Sequence, residues 1–293
     1  MKRALILVAS AILTLPAQAV TVITSIKPIQ LLVTELTQGV NEPELLLKSN
    51  TSPHDYALRP SDVKKVASAD LVIWYGHDLE PFLEKVVADK ANTVTISRIP
   101  NLALREFDSE HSHKHDGHDH GSHDPHFWLG VEPVKQVAEA LTGKLVEVDS
   151  ANANKYRENL SRFKAQLVVT DNEIKQKLAA VKDKGYFVFH DAYGYFEERY
   201  QLNQLGVFTV SPERKPGAKT LIEIRKAISS GDVACVFSEP QFTPAVVESV
   251  MRGSHVAKGE LDPLGSAIEA QPGSYFTFLS GMADSFEQCL SKK

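Results

Sequence analysis

The chain has 293 residues, with 32 Lys and Arg against 37 Asp and Glu, and a formal net charge of −5 at pH 7. This mildly acidic balance, without basic runs, argues against nucleic acid as a partner. The length is sufficient for two domains of modest size, each with its own core.

Residues 1–19 have the pattern of a secretory signal peptide. Lys2 and Arg3 precede the apolar run LILVASAILTL, and Ala17-Gln18-Ala19 is a small-x-small cleavage site. The apolar run is too short for a good membrane span, and no later stretch approaches the roughly 18 to 20 apolar residues that a span needs. We therefore predict a soluble, exported chain that begins near Val20, with a transmembrane anchor as the alternative.

Export bears on the only two cysteines of the sequence, Cys235 and Cys289. An oxidising compartment favours a disulfide between them, which would join the final helix to a core strand. Two buried free thiols are the alternative. Zinc ligation by these cysteines is disfavoured, because a structural thiolate site usually needs about four closely spaced ligands.

Residues 20–148 begin with apolar strand patterns that alternate with amphipathic helix patterns. The strand patterns are VTVITS, ELLLK, DLVIWYG and TVTIS, and the helix patterns between them are IQLLVTELTQG, SDVKKVASA and PFLEKVVAD. After an interruption, HFWL is followed by EPVKQVAEALTGKLVEV, a predicted helix with Pro133 in its first turn. Strands that alternate with helices indicate βαβ units and a parallel sheet, so this range predicts an N-terminal α/β lobe.

The interruption covers residues 105–124, which carry acids, histidines, serines and glycines and almost no apolar side chains. This composition predicts a mobile loop. The stretch HSHKHDGHDHGSHDPH at residues 111–126 holds seven of the chain's 11 histidines. The last of them, His126, lies where the pattern of ordered structure resumes.

Residues 149–181 contain no proline or glycine and predict one long amphipathic helix of about 45 Å, with a coiled-coil partner helix as the weaker alternative. Its apolar positions recur at spacings of three, four and seven: Tyr156, Leu160, Phe163, Leu167, Ile174 and Leu178. Strand and helix patterns alternate again in residues 182–293. We predict an α/β fold of two lobes, each with a roughly four-stranded parallel sheet flanked by helices, joined by one rigid helix.

Candidate site residues follow from the rule that open α/β sheets bind ligands outside the carboxyl ends of their strands. His54 follows ELLLK, His190 ends YFVFH, Glu239 ends VACVFSE and Asp262 follows the strand near KGELD. Together with His126, these residues can converge in a cleft between the lobes. Imidazole nitrogens and carboxylate oxygens suit a tetrahedral zinc ion.

Each of these residues also has a purely structural interpretation. His54 or Asp262 could be turn residues, and His190 could be a hydrogen-bonded core histidine. Glu239 could contact one of the metal-binding side chains rather than the metal itself, which is the interpretation that we favour. His77, in the loop YGHDLEP, also lies at a strand end, so spacing alone does not exclude it.

Five motifs in order, HDYALRPSD, HFWL, GYFVFHDAYGYF, CVFSEPQF and LDPLG, resemble the ZnuA family, the periplasmic zinc-binding proteins of bacterial ABC-type zinc importers. The resemblance covers essentially the whole mature chain, including the position of the histidine-rich loop before HFWL. It implies two α/β lobes bridged by a long helix, with zinc held between them. It also implies delivery of Zn²⁺ to a membrane permease and no enzymatic activity.

The same resemblance implies that the metal ligands are His54, His126 and His190. The position of Asp262 supplies a fourth ligand in some relatives, whereas others carry a glutamate where this chain has Pro53. Asp262 or water is therefore the candidate for the fourth ligand. The imidazole of His190 favours zinc, because manganese-binding relatives typically have an acidic residue there.

The resemblance further implies that the Cys235–Cys289 disulfide is a family feature. We expect a periplasmic monomer whose partner is the permease. The alternative function is a manganese- or other divalent-metal-binding protein, or an adhesin, of the same fold. A zinc hydrolase is the remote alternative, since three histidines can hold a catalytic zinc, but the sequence contains no HExxH motif.

The other histidines of the loop have no apolar anchors that would fix a tetrahedral geometry at low entropic cost. We expect them to bind zinc weakly and to raise its concentration beside the cleft. A solvated loop without this role is the alternative. These accessory residues are His111, His113, His115, His118, His120 and His123.

Overall fold

The structure is a computed structural model, and it describes residues 20–48, 51–106, 123–210, 212 and 215–292. The predicted signal peptide lies outside these residues, as do His111, His113, His115, His118 and His120 of the histidine-rich loop. Among the helices that the structure describes, none combines the length and the apolar character needed to cross a bilayer.

The first half of the chain forms a four-stranded parallel sheet with the order β2-β1-β3-β4. Its strands are β1 (Val22–Thr24), β2 (Glu44–Leu45), β3 (Leu71–Trp74) and β4 (Thr93–Thr95), and its helices are α1 (Lys27–Thr37), α2 (Pro60–Ser68) and α3 (Glu84–Val87). β1 and β3 are buried along their whole length, as expected for the central strands of a parallel sheet covered by helices. α3 is shorter than the helix predicted from PFLEKVVAD, because the 3-10 turn Pro81–Leu83 replaces its first turn.

Two antiparallel helices, α4 (Val131–Val148) and α5 (Ala153–Leu178), connect the halves. α5 has 26 residues and is therefore about 39 Å long, somewhat shorter than predicted. A 3-10 turn, Ser150–Asn152, precedes it, and Asp149 accepts a hydrogen bond from the Tyr156 hydroxyl at 2.8 Å. The buried side of α5 packs against α1 and α4.

The second half forms another four-stranded parallel sheet, with the order β6-β5-β7-β8. Its strands are β5 (Gly185–His190), β6 (Gln204–Thr209), β7 (Val233–Ser238) and β8 (Ala257–Glu260), and its helices are α6 (Gly194–Tyr200), α7 (Ala218–Ser230), α8 (Ala245–Met251) and α9 (Ser274–Leu290). The predicted fold class, two four-stranded parallel sheets flanked by helices with one long helix, is confirmed.

One large apolar cluster spans both halves, and a second, smaller cluster lies within the second half. Buried side chains from β3, α5, β5 and α9, among them Leu71, Tyr156, Tyr186 and Phe286, belong to a single cluster. α9 packs against α5 and α1, and a disulfide joins Cys235 on β7 to Cys289 on α9, with the Cα atoms 5.9 Å apart. The predicted disulfide is confirmed. The loops at the carboxyl ends of the strands are therefore supported by a common, closely packed core.

Candidate metal centre

Three histidines from distant segments meet at the carboxyl ends of the strands. His54 lies in the 3-10 turn Pro53–Asp55 that follows β2. The backbone N–H of His54 donates a hydrogen bond to the side chain of Ser52 at 3.3 Å. His126 directly precedes the 3-10 turn Phe127–Leu129, which leads into α4. His190 is the last residue of β5. β5 lies at the point where the strand order of the second sheet reverses, which is the usual place for a ligand in an open α/β sheet.

The distances between the three imidazoles match a metal centre. One ring nitrogen from each of His54, His126 and His190 lies within 4.8 Å of the others. The Nε2 atoms of His126 and His190 are 3.4 Å apart. Two nitrogens bound to the same zinc ion at about 2.0–2.1 Å, with a tetrahedral angle between them, would be about 3.3 Å apart. The rings of His126 and His190 thus already have the spacing of one edge of a zinc tetrahedron.

Two carboxylates fix the orientation of these rings. Asp124 Oδ1 lies 2.7 Å from His126 Nδ1, and Glu239 Oε1 lies 2.7 Å from His190 Nδ1. Because a carboxylate accepts hydrogen bonds, each Nδ1 carries the proton and each Nε2 turns its lone pair toward the shared centre. When both imidazoles are neutral, the two lone pairs lie close enough to bind the same cation. The arrangement therefore suits a metal ion held between the two rings.

Burial and the neighbouring charges act on the protonation of the two inner imidazoles. His126 and His190 are each only 4% exposed, whereas His54 is partly exposed. Burial, reinforced by the charge of His190, lowers the pKa of His126 well below its ordinary value. Burial also opposes the charged form of His190, but the charge and hydrogen bond of Glu239, together with the charges of Asp191 and Asp124, outweigh it and raise the pKa of His190. A neutral His126 is ready to bind a metal at neutral pH.

Asp124 is a functional residue that the sequence patterns did not identify. It is fully buried, and its Oδ1 accepts hydrogen bonds from both the backbone N–H and the Nδ1–H of His126. Arg105 lies beside it, with Nη1 3.5 Å from Asp124 Oδ2. Burial raises the pKa of the Asp124 carboxyl to about 7, against the charge of Arg105. The signal that could have identified it is the tripeptide Asp-Pro-His, which places a carboxylate two residues before a ligand histidine.

The ends of the histidine-rich segment are ordered, so the predicted loop at residues 105–124 is too wide. Glu106 and His123 form an antiparallel bridge, and the Asp124 N–H donates to the carbonyl of Arg105 at 2.8 Å. His123, predicted to be an accessory metal residue, lies in this bridge and is partly buried. The base of the segment is thus attached to the residue that orients His126.

Asp262 is not brought into the group of donor atoms that the three histidines form. Its side chain accepts hydrogen bonds from the backbone N–H groups of Leu264 at 3.1 Å and Ser266 at 2.6 Å. It therefore holds the turn that follows β8, in which Gly265 has a φ of +60°. The structure favours the turn interpretation of Asp262 over that of a direct metal ligand.

Of the two other residues that the sequence places at strand ends, Glu239 lies at the candidate centre and His77 does not. Glu239 is buried, and it hydrogen-bonds the ring of His190, as expected for a residue that contacts a ligand rather than the metal. His77, which spacing did not exclude, lies on the surface and pairs with Glu84 at 3.0 Å. His77 is not part of the group around His54, His126 and His190.

Comparison with known proteins gives this geometry a context. The sequence model of a family described as "ZnuA: Zinc-uptake complex component A periplasmic" matches residues 22–289. The chain belongs to the ZnuA family. A high-affinity zinc uptake system protein ZnuA from Yersinia pestis is 42% identical over 288 residues, which cover 92% of this chain and 91% of the relative. The protein of the same name from Haemophilus ducreyi is also 42% identical, over 92% of this chain and 93% of its own length.

Solved structures agree with membership of the ZnuA family. A crystal structure of ZnuA superimposes with a TM-score of 0.79 at 25% identity, over 94% of this chain and 100% of that chain. The periplasmic zinc-binding protein TroA from Treponema pallidum, at 22% identity, also has a TM-score of 0.79 and shares the fold. As a member of this family, the chain is a periplasmic zinc-binding component of a zinc-uptake system and not an enzyme. Zinc is its cargo.

Proposed function

We propose that the protein captures one Zn²⁺ ion through His54, His126 and His190 and delivers it to the membrane permease of an ABC importer. The observation that carries this proposal is the convergence of three imidazole nitrogens within 4.8 Å at the strand ends. Delivery to the permease is the role that the zinc-uptake family implies.

Zinc is the cation that suits this donor set best. Neutral imidazole is a good ligand for zinc, whereas manganese and magnesium prefer carboxylate, carbonyl and water oxygens. The two cysteines are bonded to each other, and a thiolate site is thereby excluded. Asp124 and Glu239 lie next to the ligands and supply negative charge that offsets the charge of the ion.

We also propose that the protein acts as a monomer. All three ligands come from one chain, and so do the carboxylates that orient two of them. A second copy is therefore not needed to complete the site. Sedimentation of the zinc-bound protein at micromolar concentration tests this; a dimer that dissociates when zinc is removed would contradict it.

The ligand assignment is tested by zinc titration against a competing chelator. His54→Ala, His126→Ala and His190→Ala should each weaken the tight site at least tenfold, or about 1.4 kcal/mol, because each removes one bond to the ion. His77→Ala is the matched control, since it removes a histidine from the surface, and it should bind like the wild type. If one of the three cluster variants also binds like the wild type, that residue is not a ligand.

A further inference from the structure

The acidic residue that follows β8 already uses both of its carboxylate oxygens. Asp262 Oδ1 accepts hydrogen bonds from Gln241 Nε2 at 2.7 Å and from the backbone N–H of Leu264 at 3.1 Å. Asp262 Oδ2 accepts a hydrogen bond from the backbone N–H of Ser266 at 2.6 Å. Direct ligation of a metal by Asp262 would compete with these contacts and disturb the turn that they hold. Asp262 instead connects this turn to Gln241.

The contacts of Gln241 fix the direction of its side-chain amide. Its Nε2 donates to Asp262 Oδ1 and to Ser266 Oγ, at 2.7 Å each. A carboxylate can only accept, so the NH₂ group must be the end of the amide that faces Asp262. The reversed amide would place two acceptors against each other. The carbonyl oxygen Oε1 is therefore directed away from Asp262.

Gln241 lines the candidate metal centre and carries a buried carbonyl oxygen. Gln241 lines the same cavity as His54, His126 and His190. Its Oε1 is buried and has no hydrogen-bond partner among the residues that the structure describes. Burial of an unpaired carbonyl oxygen is unfavourable. A hydrogen-bond donor that enters the site together with the zinc ion would satisfy this oxygen.

We propose that Gln241 accepts a hydrogen bond from a water molecule that is the fourth ligand of the bound zinc. Asp262 is then a positioning residue, which acts on the site through Gln241. This inference rests on the proposed function, in which three histidines hold the ion. It replaces the alternative in which Asp262 itself binds the metal.

Zinc chemistry favours a bound water over direct binding of the amide oxygen. Protein ligands of zinc are mainly thiolate, imidazole and carboxylate, whereas carbonyl oxygens suit harder cations. A water bound to zinc is strongly polarised, since binding lowers its pKa to as low as about 7. Such a water is a strong donor, and a buried carbonyl oxygen is the acceptor that it needs.

The test uses Gln241→Met, which keeps the size of the side chain but replaces the carbonyl oxygen with a thioether, a much weaker acceptor, together with Asp262→Ala and the double variant. Zinc affinity is measured by chelator competition, and the absorption spectrum of bound Co²⁺ reports the ligand set. Gln136→Met, on α4 and in contact with the backbone of Ala103, is the matched control. Circular dichroism of the metal-free proteins verifies folding, and Asp262→Asn replaces Asp262→Ala if the latter does not fold.

We expect Gln241→Met to weaken zinc binding roughly tenfold, or about 1.4 kcal/mol. Asp262→Ala should weaken it by a similar factor, and the double variant should be no weaker than Gln241→Met alone, because both changes remove the same hydrogen bond. The Co²⁺ spectra should keep the form of a site with three nitrogens and one oxygen.

Three results would overturn the proposal, and they are distinguishable. If Asp262 is a ligand, Asp262→Ala will cost more than about a hundredfold, will add to Gln241→Met and will change the Co²⁺ spectrum. If Gln241 binds the metal directly, Gln241→Met alone will change the spectrum. If Gln241→Met binds zinc like the Gln136→Met control, the hydrogen bond does not exist. Failure of the proposed function itself would appear elsewhere, as wild-type affinity in the histidine variants.

Discussion

Replacing Asp124 by asparagine should weaken zinc binding without destabilising the metal-free protein. The substitution keeps the size of a fully buried side chain but removes the charge that faces His126. One carboxylate oxygen accepts both hydrogen bonds from His126, at 2.7 Å and 3.0 Å, and an asparagine oxygen can accept them only without charge assistance. Loss of such a carboxylate–histidine contact typically reduces metal affinity by about 10- to 100-fold, and we expect Asp124→Asn to fall in this range.

The metal-free protein should respond in the opposite direction. Burial raises the pKa of the Asp124 carboxyl from its ordinary value of 3.8 to about 7. The folded state therefore binds this proton more tightly than the unfolded state, and the stability that it contributes at low pH is lost as the pH rises through about 7. At pH 8 the buried charge opposes folding, so the neutral asparagine should leave the melting temperature unchanged or higher.

Chelator competition and thermal unfolding of the metal-free protein, both at pH 8, measure these two effects. Glu239→Gln is the matched variant, because Glu239 orients His190 as Asp124 orients His126. A zinc affinity within threefold of the wild type in both variants would refute the idea that the carboxylates orient the ligands. A large loss of metal-free stability would show that Asp124 is mainly a structural residue.

Three further predictions concern pH and the histidine-rich segment. Zinc affinity, measured by chelator competition, should fall as the pH drops below about 6.5, because the ligands must be neutral and the pKa of His190 is raised. The fall should be steeper than one proton per metal. A constant affinity between about pH 7.5 and 5.5 would contradict the site. Burial raises the pKa of Glu197 from 4.5 to about 8, so this group stabilises the fold at low pH and ceases to do so as the pH rises through that range. In urea unfolding of the metal-free protein, Glu197→Gln should therefore make the decline of stability between about pH 5.5 and 7.5 shallower by about 1.4 kcal/mol per pH unit, and an unchanged slope would show that Glu197 does not hold this proton. Deleting residues 109–120 leaves four residues between Glu106 and His123, which is enough for a tight turn. Calorimetry of this variant should still detect one tightly bound zinc, but the weaker zinc binding should be lost. Loss of the tightly bound zinc would place the segment in the primary site.

The fold and the position of His190 were predictable because both depend on periodic patterns. Apolar runs that alternate with amphipathic stretches define two parallel sheets, and the strand-end rule then places His190 at the end of β5. The disulfide followed from export and from having only two cysteines. These features depend on which segment a residue belongs to, and not on the direction of one side chain.

The orientation of Asp262 was not predictable in this way. The rule that places it at the end of β8 is correct, but its carboxylate accepts from Leu264 and Ser266 within its own turn. A side chain two to four residues from such N–H groups can turn back to them, and this local competition is not visible in strand spacing. Gln241 was missed for the related reason that its role depends on Asp262.

The limits of the histidine-rich segment were missed because composition averages over many residues. A window rich in acids and histidines predicts a loop, yet Asp124 is fully buried. A single carboxylate that orients a neighbouring histidine does not alter the mean polarity of twenty residues. The error is therefore largest where the segment joins the metal centre.

The charges around the centre explain why a dication fits there. Three carboxylates act on the inner imidazoles, those of Asp124, Asp191 and Glu239, whereas Arg105 supplies a positive charge. Burial and the charge of Asp124 raise the pKa of Asp191, and burial raises that of Asp124, so in the metal-free protein these groups retain protons more readily than usual. A bound Zn²⁺ lowers the cost of their ionisation and is stabilised by it in return. The same buried carboxylates that weaken the metal-free fold at high pH thus favour the zinc-bound state.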